Sequence, residues 1–437
     1  MNDKSSTIPS DESLLHDLNL AKPSPLFYKI VVLVAAGMFI DSIDVYMGSS
    51  IATCLLSQGF TNSGTNATFL SAGFMGLLIG SLVSGVIGDA KGRKISYSIN
   101  LLVFGLFTFA CTFAPNISVL IICRFIASMG LGAELVTGFT YINEFAPVLK
   151  RGHWCAIVDL IANFGVPVAM ALSAVVISHW SWRPLFAFDG VLALLIWFFR
   201  RGLPESPRWL LVKGRRTEAA HIISQLTVNG FYDVSPQQEK APQPFTTRTL
   251  WKNFFVATVA VTATMVCSYT FTTWMPTILF KRGYDLHHSL WISVLIMLGA
   301  PLGCFIGSSL IDRIGRKRLI VVAFGVEAVL GCLYSVQRNI VFVSIVGFAL
   351  VVVLYVLMAS VTAVYIPELF PTRVRFRFVG VANAIAKLCN ALMPYLITLL
   401  LTIGNENWVY YLIALIAAVT MAIVAFMGPE TAEKELL

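Results

Sequence analysis

Charged residues are scarce in this chain, and apolar residues take their place. Of 437 residues, only 12% are charged while 57% are hydrophobic, and the mean hydropathy is +0.78. A soluble domain carries about twice that share of charged residues, so the composition excludes an ordinary soluble protein. It predicts a chain whose bulk lies in a lipid bilayer.

Cysteine pairs, a leader and a soluble catalytic segment are also lacking. The eight cysteines, from Cys54 to Cys389, stand singly in apolar segments without CxxC spacing, so no disulfide or metal site is indicated. Residues 1–26 are polar and the first apolar run is too long for a signal peptide, so we expect no cleavable leader. No segment outside the apolar runs is large enough for a catalytic domain. We therefore expect no enzyme, no cofactor and no metal.

The apolar residues fall into twelve runs, most of them longer than the ~20 residues that span the hydrocarbon of a bilayer. The runs lie near 27–56, 66–88, 95–114, 117–142, 153–178, 184–201, 251–280, 287–311, 319–336, 339–366, 376–402 and 407–428. The sequence therefore predicts an all-α membrane protein with twelve transmembrane helices.

Three polar motifs occur twice, with the second copy roughly 224 residues after the first, which indicates an internal duplication. The pairs are Asp89-x-x-Gly92-Arg93-Lys94 with Asp312-x-x-Gly315-Arg316-Lys317, Glu144-x-x-Pro147-x-x-x-Arg151 with Glu368-x-x-Pro371-x-x-x-Arg375, and Pro204-Glu205-Ser206 with Pro429-Glu430-Thr431. Two such halves around a central cavity are typical of alternating-access transporters.

The duplication divides the chain into five parts. We expect an N-terminal tail at 1–26, a six-helix bundle at 27–201, a linker at 202–250, a second six-helix bundle at 251–428 and a C-terminal tail at 429–437. Within the linker, residues 205–228 are predicted to form one short amphipathic helix, followed by a Pro/Gln-rich stretch at 229–248.

Positive charges are distributed unevenly between the two sides of the predicted membrane domain. The N-terminal tail and the loops after even-numbered helices carry most of the 31 Lys and Arg residues, including nine from Arg200 to Lys252. The positive-inside rule therefore predicts that both termini are cytoplasmic, in a plasma membrane of bacterial type. The net charge of +8 is a topology signal on this interpretation, and we predict no nucleic-acid partner.

The motif loops resemble those of the major facilitator superfamily. The segment at 85–94 reads G-x-x-x-D-x-x-G-R-K, and its second copy has Ser308 where the superfamily has a glycine. Residues 204–210 and 367–375 are similar to motifs shared by sugar porters, organic-ion transporters and bacterial metabolite:proton symporters. The resemblance implies two pseudo-symmetric six-helix bundles.

Charges in the duplicated motifs are candidates for a cytoplasmic gate that holds the two bundles together when the protein opens outward. Partly exposed ion pairs are worth only ~0–1 kcal/mol each, which suits a latch that must release. The alternative is that these charges only fix loop orientation. The candidates are Asp89, Arg93, Glu144, Arg151, Glu205, Arg208, Asp312, Arg316, Glu368 and Arg375.

Ionisable residues inside the first bundle are candidates for proton coupling. Asp41 and Asp44 lie on one face of helix 1 at i and i+3. Helical rise places Arg124 at a depth similar to Asp44 but roughly 15 Å from Glu134 along helix 4, so Arg124 is predicted to pair with Asp44 and not with Glu134. The alternative is a structural ion pair between helices 1 and 4.

Two of these segments also resemble those of known symporters. Asp41-x-x-Asp44 is similar to the D-G-x-D of bacterial aromatic-acid:proton symporters, with Ser42 replacing the glycine. The stretch at 132–136, Gly-Ala-Glu-Leu-Val, resembles part of bacterial niacin permeases, without their proline, and its acidic position matches a helix-4 carboxylate of phosphate:proton symporters.

Helix 11 carries Lys387, flanked by Asn383 and Asn390, which is a pattern for binding a carboxylate. The alternative is a lysine neutralised by Glu134 or Asp41. Four further residues are candidates either for lining the cavity or for helix packing, namely Tyr46, Asn163, Tyr269 and Trp274.

These features together predict a secondary transporter that imports a small organic anion with a proton. We expect it to function as a monomer in the lipid bilayer. The alternatives are a proton-driven efflux antiporter, which would favour a cavity without Lys387, and a sugar:proton symporter, for which helix 7 lacks a Gln-Gln pair. A metabolite receptor would require a signalling domain or long tail.

Overall fold

The computed structural model describes residues 10–232 and 247–431, in which almost every element is helical. The first bundle contains α2 (Pro25–Ser57), α3 (Ser63–Lys91), α4 (Arg93–Cys111), α5 (Ile117–Phe145), α6 (Arg151–His179) and α7 (Arg183–Arg200). The second contains α10 (Thr247–Lys281), α11 (Leu286–Met297) running on into α12 (Gly299–Ile314), α13 (Arg316–Val336), α14 (Ile340–Leu357), a π-helical stretch (Met358–Tyr365), α15 (Ile366–Glu368), α16 (Thr372–Ile403) and α17 (Asn407–Met427). Outside the bundles lie α1 (Asp11–Leu20), a 3-10 turn (Val148–Lys150), α8 (Pro207–Val212) and α9 (Arg216–Leu226).

The predicted set of twelve membrane helices is confirmed. In the described residues, eleven helical stretches are long and apolar enough to cross a membrane. The twelfth is α7, whose 18 residues are largely apolar but include three charged side chains, Arg183, Asp189 and Arg200. Its charges matter for the site described below.

The duplicated Gly-Arg-Lys motif forms the same corner in each bundle. Gly92 and Gly315 separate consecutive helices with φ angles of 105° and 95°, which favour glycine over residues with a side chain. Glu205 Oε1 accepts a hydrogen bond from the backbone N–H of Lys94, and Glu430 Oε1 accepts one from that of Lys317. Each carboxylate thus satisfies free N–H groups at a helix N-terminus, where a negative charge is stabilising.

Helices within the first bundle approach closely where glycines replace larger residues. A Cβ added at Gly80 would lie 1.9 Å from Met129 O, and one at Gly132 would lie 2.2 Å from Leu77 O. Helices α3 and α5 therefore pack backbone against backbone, as small residues permit in membranes.

The two bundles meet mainly where α2 packs against α10, α3 against α16, and α6 against the continuous stretch of α11 and α12. We call the end of the molecule that carries Gly92, Gly315, α8 and α9 the motif face. Away from it, one hydrophobic core joins residues of both bundles, whereas nearer to it each bundle has separate clusters. The bundles therefore share an apolar core toward the opposite face, while toward the motif face each bundle has its own.

The linker after the first bundle differs from the single helix predicted for residues 205–228. It forms two helices, α8 and α9, because Gly214 between them adopts a φ of 75°. The predicted apolar side is present, since Leu210, Ile223 and Leu226 are buried with α1 against the first bundle. The predicted Pro/Gln-rich stretch lies mostly outside the described residues.

Candidate functional site

The Asp44–Arg124 ion pair lies buried between α2 and α5. Arg124 Nη1 is 2.6 Å from both carboxylate oxygens of Asp44, and Nη2 donates to the Asp44 carbonyl at 3.2 Å. Both residues are buried. The structure therefore shows the pairing that helical rise predicts.

A small cavity leads from the bundle interface to this pair. Its lining includes Gly48, Gly73, Phe74 and Arg124 from the first bundle and Thr273 from α10 of the second. A Cβ at Gly48 would lie 3.2 Å from Arg124 Nη2, so the glycine leaves the guanidinium room beside α2. The pair is thus screened from bulk solvent but lies next to the surface where the bundles move against each other.

A second buried ion pair, between Glu134 and Arg200, was not predicted from the sequence. Arg200 also donates to the Leu33 carbonyl at 3.3 and 2.9 Å and lies 4.0 Å above the Tyr97 ring. The prediction that Arg200 belongs to the loop charges is wrong, because the residue lies in α7 and only 1% of it is exposed.

Two further carboxyl groups are buried beside these pairs. In the part of the chain that the structure describes, neither oxygen of Asp41 nor of Asp189 has a hydrogen-bond partner. Asp41 faces Glu134 and Arg200, and Asp189 lies next to Asp44. The two aspartates of helix 1 thus belong to different charge clusters.

Lys387 lies on the side of α16 that faces the first bundle. One turn further along the same face, the Ala391 carbonyl accepts a 2.5 Å hydrogen bond from Ser71 of α3. Lys387 is partly exposed, and within residues 10–232 and 247–431 it has neither an ion pair nor a hydrogen bond. The predicted alternative partner Glu134 is instead paired with Arg200.

The two amides near Lys387 differ in their contacts. Asn383 Nδ2 donates to the Val379 carbonyl of its own helix at 2.9 Å. Asn390 is buried, and its Oδ1 has no partner in the described part of the chain.

The predicted aromatic lining lies at the contact between the bundles. The Tyr46 and Tyr355 hydroxyls are 2.5 Å apart, and the rings of Tyr46 and Tyr269 stack with centroids 6.4 Å apart. Phe74 meets Tyr269 edge-on at 5.3 Å. Trp274, by contrast, is buried in the core shared by both bundles, which favours packing over lining.

Asn163 is held by an acidic residue that the sequence analysis did not assign. Its Nδ2 donates to the Asp159 carbonyl at 2.8 Å and to Asp159 Oδ2 at 3.2 Å. Asp159 is partly exposed and lies within electrostatic range of Tyr46 and Tyr269. An ionisable residue in an apolar helix was the available signal.

The candidate gate residues pair within their own bundles. Arg93 contacts Asp89 at 2.6 Å and Glu144 at 3.0 Å. The repeat reproduces this, with Arg316 2.9 Å from Asp312 and 3.2 Å from Glu368. In this conformation, Arg93 and Arg316 form ion pairs only within their own bundles.

The remaining arginines among the gate candidates make no ion pair in the described residues. Arg208 donates to the Glu144 carbonyl at 3.2 Å and to Asn19 Oδ1, and Arg375 donates to the Phe370 carbonyl at 3.2 Å. Burial, together with the positive charge of Arg151, lowers the pKa of Arg208. Arg151 Nε is buried without a hydrogen-bond partner in the described residues, so these side chains have unused bonding capacity.

Residues 31–437 match the family described as sugar (and other) transporter. The chain belongs to this family. It is a transporter of the major facilitator superfamily and not an enzyme, as the motifs predicted.

Relatives of this chain include bacterial inner-membrane proteins. It is 31% identical over 425 residues to the inner membrane metabolite transport protein YdjE of Escherichia coli K12, with 94% of each chain covered. It is 28% identical over 422 residues to the niacin transporter NiaP of Acinetobacter baylyi, with 94% of this chain and 95% of the relative covered. Among solved structures, a partially occluded inward-open xylose transporter XylE from E. coli superposes with a TM-score of 0.76 at 17% identity, covering 94% of this chain and 100% of the other.

Proposed function

We propose that this protein takes up a small aromatic carboxylate together with a proton, by alternating access, with both termini in the cytoplasm. The observation that carries the proposal is the buried Asp44–Arg124 pair beside the cavity at the bundle interface. An unpaired cation, Lys387, faces the same interface.

Breaking the buried ion pair costs free energy, and this cost links protonation of Asp44 to the conformation of the bundles. Protonation of Asp44 removes the counter-charge of Arg124, and a stranded buried charge costs roughly 3–5 kcal/mol. That free energy is enough to shift the balance between two packings of the bundles. Asp41 and Glu134 lie in the neighbouring cluster, where they influence the same helix.

The positive charge of Lys387 favours a negatively charged substrate. A cation at mid-helix costs at least ~2.5–3.5 kcal/mol in a membrane, and no described residue compensates it here. A carboxylate ligand would supply the missing charge, and the unbonded Asn390 Oδ1 nearby would accept a hydrogen bond from another group of that ligand. The rings of Tyr46, Tyr269 and Phe74 favour an aromatic body for that ligand.

Asp159 and Asn163 favour a second polar group on the ligand. They lie on α6, beside the two interface tyrosines. A carboxylate there accepts a hydrogen bond from a ring hydroxyl or ring N–H. The niacin transporter among the relatives is named for an aromatic carboxylate, which agrees with the carboxylate and the aromatic body argued from Lys387 and the interface rings.

The coupling experiment compares Asp44→Asn with wild type in proteoliposomes. We expect the variant to lose accumulation of nicotinate against its gradient while retaining exchange between two pools, because exchange moves no net proton. Asp285→Asn, at an exposed aspartate on the opposite face, is the matched control and should retain both activities. Full uphill accumulation by Asp44→Asn would remove Asp44 from the coupling role.

The substrate experiment measures thermal stabilisation of the purified protein by nicotinate, other aromatic carboxylates, neutral sugars and cationic drugs. Ligands that bind the folded state raise its stability by mass action. We expect stabilisation by carboxylates, a severe loss in Lys387→Ala and partial retention in Lys387→Arg. Lys281→Ala, at the exposed end of α10, should behave as wild type. Unchanged stabilisation by a neutral sugar in Lys387→Ala would contradict the organic-anion proposal.

A further inference from the structure

We propose that Asp41, Glu134 and Arg200 form a second proton-carrying site, separate from Asp44–Arg124, so that two protons move in each transport cycle. The inference rests on the proposed proton coupling and specifies its stoichiometry.

The two clusters are built alike from the same three helices. Each contains one residue of α2, one of α5 and one of α7, and each consists of an ion pair with a spare carboxyl group. The first cluster is Asp44, Arg124 and Asp189, and the second is Asp41, Glu134 and Arg200. Glu134 is ten positions after Arg124, which places these two residues roughly 15 Å apart along α5, whereas Asp41 and Asp44 are one turn apart on α2.

Charge balance requires two protons in this conformation. The clusters contain four carboxyl groups and two guanidinium groups, all buried. If every group were ionised, two negative charges would lie uncompensated, at a cost of several kcal/mol per ion. Each guanidinium is compensated by one carboxylate, so one proton is held by Asp41 beside the Glu134–Arg200 pair and the other is shared by the adjacent carboxyls of Asp44 and Asp189.

The second cluster is a specifically built site. A Cβ at Gly37 would lie 1.7 Å from Arg200 Nη2, so the guanidinium occupies space that only a glycine leaves free. The Leu33 carbonyl accepts two hydrogen bonds from Arg200. Glu134 uses one oxygen for Arg200, and the Tyr97 hydroxyl lies beside the same carboxylate.

The titratable groups within electrostatic range of Asp41 come from α5, α7, α4 and its own helix. They are Glu134 from α5, Arg200 and Asp189 from α7, Tyr97 from α4 and Asp44 from its own helix. Asp41 and Glu134 thus compete for a single cation, and only one of them is ionised while the cluster stays dry. The proton binds at a carboxylate oxygen of Asp41 and leaves from it to water when α2 shifts against α5 and α7.

The test is the proton-to-substrate ratio in proteoliposomes, with the membrane potential clamped at zero and nicotinate as the probe. At the point where net flux reverses, the logarithm of the nicotinate gradient equals the pH gradient multiplied by the number of coupled protons. The charge of the probe does not enter at zero potential. We expect a ratio of two for wild type.

Two variants should lower the ratio to one. Asp41→Asn removes the proton-binding group, and Glu134→Gln leaves Asp41 as the only partner of Arg200, so that Asp41 stays ionised. Glu327→Gln, which replaces a buried carboxyl of the second bundle that has no ion pair among the described residues, is the matched control and should keep the ratio at two. A wild-type ratio of one, or a ratio of two in Asp41→Asn, would overturn the inference. A ratio of zero would instead refute the proton coupling itself.

Infrared spectroscopy tests the same site without any substrate. Protonated carboxyl groups absorb apart from carboxylates, and we expect the band of Asp41 to disappear in Asp41→Asn and equally in Glu134→Gln. A merely structural Asp41 would keep its band when Glu134 is replaced, and that result would overturn the inference.

Discussion

Gly37→Ala is the perturbation whose size follows most directly from the structure. The added methyl group would lie 1.7 Å from Arg200 Nη2 and 2.9 Å from Glu134 Oε1. Arg200 must then move away from Leu33 and Glu134, although it is buried and has no solvent to move into. Losing the buried pair costs roughly 3–5 kcal/mol. The greater helix propensity of alanine stabilises the helix by about 1 kcal/mol. The free energy of unfolding should therefore fall by roughly 2–4 kcal/mol.

The assay is equilibrium unfolding in detergent micelles, with Gly380→Ala as the control. Gly380 is also helical, but a Cβ there meets no atom within 4 Å. We expect the control to be as stable as wild type or slightly more stable. Equal stability of Gly37→Ala and Gly380→Ala would refute the account of how Arg200 is held.

Three further predictions concern the orientation and the two faces. An impermeant thiol reagent applied to intact cells should label cysteines introduced at Gly64 and Asn405 but not one at Val212 in α8, and labelling at 212 would reverse the topology. Thr53 and Thr277 share a 2.8 Å hydroxyl contact across the bundles and are related by the repeat, 224 residues apart. Thr277→Val removes a hydrogen bond worth about 0.5–1.5 kcal/mol, so the buried Cys54 should react faster with thiol reagents. Mass spectrometry measures this rate, and an unchanged rate would show that the contact does not hold the bundles closed. Arg316→Gln leaves Glu368 without its ion pair and should slow transport while substrate binding by thermal shift persists; unchanged transport would refute a gating role.

The fold was largely predictable because its signals are repeated and local. Glycines at 92 and 315 end helices at equivalent places, so the duplicated motif identified both corners of the structure. The Asp44–Arg124 pair was predictable because helical rise fixes the depth of each residue.

Arg200 was missed because its backbone lies at the end of α7 whereas its guanidinium group lies inside the bundle. The Cα–Cβ bonds of a helix tilt toward its N-terminus, so a long side chain in the last turn reaches back into the bundle. Whether it does so depends on a partner such as Glu134 and on space such as that at Gly37, which only the packing of three helices reveals. Asp159 was left unassigned for a similar reason, since its neighbours Tyr46 and Tyr269 come from other helices.

The central claim is that substrate and protons enter together, and substrate-evoked proton influx tests it most directly. Proteoliposomes with a trapped pH-sensitive dye and a clamped membrane potential would receive external nicotinate and related aromatic carboxylates. The account predicts acidification of the lumen by transported acids, at a rate that a saturating competitor abolishes and that Asp44→Asn lacks. Uptake of a labelled carboxylate without any acidification of the lumen would contradict it.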